Sequence, residues 1–195
     1  MQAEKIEENV PGRRITVAEY HRMGKLGIIK PDDRVELLDG KLIPMPPIGP
    51  EHGYSVMRLM RYCVRLFDGR AAVSIQGPVT LDDWSEPQPD MMLLSLPEER
   101  YAHVNPTPQD AFLVVEVSVT SLSTDRGKKL RAYARRGVRE YWVVDIVHER
   151  VHVYREPQEE RFMSHRTVVR GDSVAPMMFP DDPIAVNDIL SPPAR

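Results

Sequence analysis

The chain has 195 residues, 42% of them hydrophobic, and a formal charge of −3. That is enough apolar material for one domain with a sizeable core, and it excludes an overall basic field of the kind that draws nucleic acid to a whole surface. The single cysteine, Cys63, excludes a disulfide framework and a cysteine metal site; with no signal peptide and no apolar run long enough to span a bilayer, a cytoplasmic location is expected.

Residues 1–14 read as a flexible, acidic N-terminal tail, and residues 15–190 as a single domain. Thr16-Val17-Ala18-Glu19 is a capping box, which predicts a helix running to about Gly24 or Leu26. Asp39-Gly40 between Val35–Leu38 and Lys41–Ile43 predicts a tight hairpin, whose alternation turns Glu36 away from Val35 and Leu37 and towards solvent. Four prolines between Pro44 and Pro50 make a rigid loop leading to His52, at or before the first turn of a helix over Tyr54–Phe67. A lone histidine there reads as a cap or surface residue, and Arg58, Arg61, Arg65 and Arg70 read equally as a solvated face or as a DNA contact. Ala71–Gln76 and Val79–Leu81 predict strands broken by Gly77-Pro78; Gln76 at a strand end serves packing or orients a ligand. The acidic loop Asp82–Gln88 is expected to be solvated. Ser95–Asp110, with its three prolines, is expected to be a lid or a dimer contact. Arg150–Arg155 and Phe162–Val169 predict a second hairpin. His148 and His152 are four residues apart, but across a turn and a strand that spacing is not expected to join them. Residues 176–190 are expected to wrap the domain.

The informative stretches are Pro89-Asp90-Met91-Met92-Leu93-Leu94 and Val114-Val115-Glu116-Val117-Ser118. Each is short and apolar enough for a buried strand, and each carries one carboxylate. Burying an ionised carboxylate costs several kcal/mol unless a cation or donors compensate it, so two such acids point to a site. A helix is predicted over Arg126–Arg136, stopped by Gly137, with Leu130, Tyr133 and Ala134 as its packing stripe. Asp125, Lys129 and Tyr133 recur at i+4 on one flank, which can turn Lys129 towards the end of the Glu116 strand. Glu140–Asp145 closes a strand–helix–strand crossover.

Taken together, Ser85–Asp90, Val114–Val117, Asp125–Leu130 with Tyr133, and Gly137–Asp145 resemble the Uma2 family, of the restriction-endonuclease-like PD-(D/E)XK superfamily. Thr16–Tyr20, Arg34–Lys41 and His52 extend the likeness. The resemblance implies an α/β fold, a restriction-endonuclease-like mixed, bent β-sheet flanked by helices at 51–68 and 125–136. It further implies a metal-dependent endonuclease that hydrolyses nucleic-acid phosphodiester bonds, DNA more readily than RNA, as a homodimer away from membranes. Asp90 and Glu116 would then hold Mg²⁺ or Mn²⁺, Lys129 would orient water or neutralise phosphate, and Glu36 would assist, contrary to its reading as a solvent charge. His52, Gln76, Asp125, Tyr133 and Lys128 are secondary candidates.

The wider superfamily places a lysine two residues after the glutamate, where this chain has Ser118; Lys129 on the following helix is the matching cation. That departure keeps a second reading open: a catalytically degenerate nuclease fold acting as a dimeric nucleic-acid-binding or assembly protein. On the expectation that Lys129 is partly exposed, its replacement should remove activity and change stability little, while Lys128→Ala should spare most activity.

Overall fold

Apolar runs at 91–94, 111–118 and 140–145 build a sheet that is buried on both faces, as continuous runs of this kind require. In the computed structural model, which describes residues 12–192, six strands pair in the order β3-β4-β5-β6-β7-β8. They are β3 (Ala72–Ile75), β4 (Met91–Leu94), β5 (Ala111–Ser118), β6 (Glu140–Asp145), β7 (Arg150–Gln158) and β8 (Arg161–Val169). β5 and β6 are parallel and every other neighbouring pair is antiparallel. Residues 1–11 of the expected tail lie outside the described residues.

Strand alternation divides the core. Leu113, Val115 and Val117 of β5 join Met91, Trp142 and Val144 beneath helix α2 (Pro50–Phe67), which contributes Val56, Leu59, Cys63 and Phe67. The chain from Val174 to Leu190 closes over the same face, adding Phe179, Ile184 and Ile189. On the opposite face Met92, Val114, Tyr141 and Val143 pack against Ala132, Tyr133 and Ala134 of helix α4 (Leu130–Arg135). Because side chains alternate, Glu116 and Ser118 belong with Val114 on this second face.

Helix α1 (Val17–Lys25) begins at the expected capping box, Thr16 accepting from the Glu19 amide at 3.2 Å. The hairpin β1 (Val35–Leu38)/β2 (Lys41–Pro44) turns on Asp39 and Gly40, both at positive φ (50° and 75°), as a tight two-residue turn demands. It is a separate two-stranded sheet, tied down by Gly40 N–H to the Trp84 carbonyl (2.7 Å) and Glu86 N–H to the Leu37 carbonyl (2.8 Å). The solvent-facing expectation for Glu36 therefore fails: docked against the 84–88 segment, the hairpin has no solvated face there, and Glu36 is buried.

Four other expectations are corrected. Val79–Leu81 is not a strand of the sheet; Gln76, at φ 50°, turns the chain away, and Val79 and Leu81 bond instead to Pro87 and Ser85. Helix α2 starts at Pro50, a residue suited to a first turn, so His52 lies inside the helix. The predicted helix over Arg126–Arg136 is composite: a single turn, α3 (Leu122–Thr124), widens into a π-turn over Asp125–Lys129 before α4. His148 and His152 do meet, at Asp145, because the turn after β6 brings β7 back beside it; His148 Nδ1 is 2.8 Å and His152 Nε2 is 3.6 Å from Asp145 Oδ2. Burial, with Arg126 and His165 nearby, holds the His152 imidazole down at a pKa of about 4.

Much of the arginine content is structural. Arg58 bonds Asp188, Arg70 bonds Asp182, and Arg135 bonds both Asp39 and Glu160. At the start of β6 the fully buried Glu140 accepts from Arg155 Nε (2.8 Å) and Trp142 Nε1 (2.8 Å), and from the Met177 amide, fastening the C-terminal segment to the sheet. Removing one partner of a buried pair strands the other, at a cost of roughly 3–5 kcal/mol. Arg155→Ala is therefore expected to lower unfolding free energy by about 3 kcal/mol in urea titration; a loss below about 1 kcal/mol would show that Glu140 is satisfied without it.

Candidate active site

The register of β4 on β5 pairs Met91 with Val115, and one step further sets Asp90 across from Glu116. Asp90 Oδ2 accepts the Val117 amide at 2.8 Å, and Oδ1 lies 3.1 Å from His52 Nε2 at the start of α2. Both carboxylates open into one cleft of about 1360 Å³, whose other walls are α1, the β1/β2 hairpin and the proline-rich loop before α2.

At the cleft floor stands Lys129. Its ammonium is 3.0 Å from Glu36 Oε2 and 3.0 Å from Glu116 Oε1, and all three side chains are at most 7% exposed. Tyr133 Oη donates to the same Glu116 Oε1 at 2.8 Å, and the Gln88 amide donates to Glu36 Oε2 at 3.1 Å. Among the described residues, Glu116 Oε2 takes no hydrogen bond. One oxygen of Glu116 is thus fixed by two donors while the other is left for the cleft.

Electrostatics follow from that crowding. Burial raises the Glu116 carboxyl well above the usual range; Lys129 opposes the rise, and Asp125, Asp90 and Glu36 add to it. Burial alone would lower the Lys129 ammonium, yet Glu116, Glu36 and Asp125 outweigh it and push it above the ordinary lysine value. Tyr133 is raised by burial and by Glu116, so it stays a donor. The ammonium keeps its proton at any physiological pH.

The π-turn positions these groups. Asp125 at its start is buried and accepts from Ser118 Oγ and Ser121 Oγ, each at 2.5 Å; burial raises its carboxyl despite them. Ser118, where the superfamily pattern has lysine, thus anchors the turn that carries Lys129. Lys128, one residue earlier, is exposed on the far side. Gln76 works through its backbone, its amide donating to the Asp90 carbonyl at 3.1 Å and its carbonyl accepting from the Gln88 side chain.

Two participants were not anticipated. The Gln88 amide holds Glu36, and Glu86, expected to be solvated, is buried, with His21 Nε2 at 2.5 Å, Thr80 Oγ1 at 2.7 Å and Asn105 Nδ2 at 3.1 Å. Their only signal was the pair of prolines, Pro87 and Pro89, that flank Gln88 and hold this segment extended beside the hairpin.

A six-stranded mixed sheet flanked by helices is the α/β fold expected of the restriction-endonuclease-like class. The sequence matches the Uma2 family, described as "Putative restriction endonuclease", over residues 17–186, and the chain belongs to that family. Its fold is similar to the crystal structure of "a putative nuclease belonging to DUF820" from Anabaena variabilis ATCC 29413, with TM-score 0.72 and 18% identity over 90% of this chain and 97% of that one. No curated protein matches the chain.

Burial of Lys129 reverses one expectation. Far from being neutral for stability, Lys129→Met leaves Glu36 and Glu116 uncompensated and should cost about 3–5 kcal/mol by chemical denaturation; a change under about 1 kcal/mol would mean the ion pairs are not formed in solution. Glu116→Gln tests the pH dependence of the same cluster. Its folded pKa lies above the unfolded value of 4.5, so Glu116 favours the fold below pH 4.5 and loses that contribution as pH rises through the elevated value. The neutral amide has no such loss, so the fall in melting temperature between pH 4 and pH 7 should be smaller for Glu116→Gln than for the parent; an equal or steeper fall would contradict the sign.

Proposed function

We propose that this protein hydrolyses nucleic-acid phosphodiester bonds with a divalent cation held at Asp90 and Glu116. One observation carries the reading. Glu36 and Glu116 flank one buried ammonium, Lys129, and Asp90, held by the Val117 amide and beside His52, opens into the same large cleft. Such an excess of negative charge is costly away from water, and a cation of charge two relieves it. The donor set consists of hard oxygens with Glu116 Oε2 unengaged, which suits Mg²⁺ or Mn²⁺. Among the described residues no group of three metal-ligating side chains is gathered, so the ion would keep several waters, as Mg²⁺ prefers. Bound there, the ion would polarise a phosphoryl oxygen and acidify a coordinated water.

The protein's own groups have distinct tasks. Lys129 stays charged, so it is no general base; it donates to Glu116, forms an ion pair with Glu36, and can meet charge developing on phosphate. Tyr133 and Lys129 pin Glu116 Oε1 and aim Oε2 at the cleft. The Val117 amide and His52 fix Asp90. We read DNA in preference to RNA, and a homodimer, on family resemblance.

The test is cleavage of supercoiled and single-stranded DNA with Mg²⁺ or Mn²⁺. Wild type and Lys128→Gln should cut at comparable rates, and Glu116→Gln should lose at least about 100-fold, the scale of one electrostatic group at a reacting centre. Equal loss from Lys128→Gln would make the basic turn a phosphate anchor only. Absence of cutting by wild type on every substrate and metal would favour the non-catalytic, nucleic-acid-binding reading.

A further inference from the structure

The cleft wall facing the acids carries Lys25 at the end of α1, and Lys30 and Arg34 in the turn between α1 and β1. Unlike the arginines that fasten the C-terminal segment, none of these three has its side-chain cation within 4 Å of a carboxylate among the described residues; Asp33 bonds only the Lys30 backbone amide. Lys25 and Lys30 are exposed, so their charges stand free in the cleft mouth. Arg34 is odder. Its backbone sits in the left-handed region (φ 43°), which side-chain-bearing residues rarely adopt, and its Nε is buried without a hydrogen-bond partner. A desolvated guanidinium donor with no acceptor is an unfavourable arrangement unless a ligand supplies the acceptor.

We infer that Lys25, Lys30 and Arg34 form a phosphate track that carries the substrate backbone across the cleft towards the Asp90–Glu116 cluster. The chemistry fits. Phosphodiester oxygens are strong acceptors with a fixed charge at each nucleotide, and arginine with flanking lysines is the usual protein complement. The acidic net charge of the chain is no obstacle, because the site needs a local row of cations and not a basic surface. This inference rests on the nucleic-acid reading above, but concerns binding and not cutting.

The experiment is fluorescence anisotropy of a labelled 12-nucleotide single strand, without metal, over a salt series. Three proteins are compared: wild type, Lys25→Gln/Lys30→Gln, and Arg161→Gln/Arg166→Gln, a control that removes the same charge from exposed positions on β8. Each phosphate contact contributes about 0.7 to the slope of log affinity against log salt for a single strand. The cleft variant should flatten that slope by about 1.4, and the control should not change it. Equal slopes for wild type and the cleft variant, equal flattening by the control, or no binding by wild type would each overturn the track. A poly-glutamate peptide that displaces the strand as well as unlabelled DNA does would also overturn it, in favour of an acidic protein partner. Failure of the nuclease reading shows separately: binding with the predicted slopes but no cutting when Mg²⁺ is added leaves the track standing and removes the activity.

Discussion

The lysine shared by Glu36 and Glu116 is the interaction on which the rest of the site depends. It joins two sheets that are otherwise separate, the small β1/β2 hairpin and the six-stranded sheet, through a helix belonging to neither. Its charge makes it tolerable to bury two acids, and its burial makes those acids costly to leave alone. The site and the stability of this corner of the fold are therefore one problem. The partial compensation matters as much: one ammonium does not balance the acids around it, and burial pushes Glu116 towards its neutral form. A cluster built only for stability would have no reason to retain that excess.

A lysine can migrate from strand to helix because only the place of the ammonium is chemically relevant. The structure shows what the move requires. The segment Asp125–Lys129 widens into a π-turn, a form often found at functional sites, and Asp125 is clamped by Ser118 and Ser121 at its start. The strand position without lysine is thus used to hold the turn that supplies one. Tyr133 then closes the arrangement from the next turn, donating to the oxygen that Lys129 also holds.

Much of this was legible in the sequence for physical reasons. Asp90 and Glu116 stood out as acids in apolar runs, and the capping box, the Asp39-Gly40 turn and the crossover were local signals that tertiary structure kept. Glu36 was readable only through family resemblance, because alternation within a hairpin cannot reveal that the adjacent 84–88 segment covers its polar face. Beyond Pro87 and Pro89, nothing in the sequence marks Glu86 and the Gln88 amide, for the same reason: loop residues have no periodicity, and their burial depends on what docks over them. The exposure of Lys129 was misjudged because the i+4 series gave its direction and not how deep the helix sits on the sheet. His148 and His152 were separated on spacing alone, whereas strand register brings both to Asp145.

The most direct measurement is anomalous diffraction from crystals soaked in Mn²⁺. The account predicts one strong peak between the Asp90 and Glu116 carboxylates, within bonding distance of Glu116 Oε2, and its loss in Glu116→Gln crystals treated identically. A structure at high Mn²⁺ with no peak there, or with the ion elsewhere and undisturbed by the substitution, would contradict it.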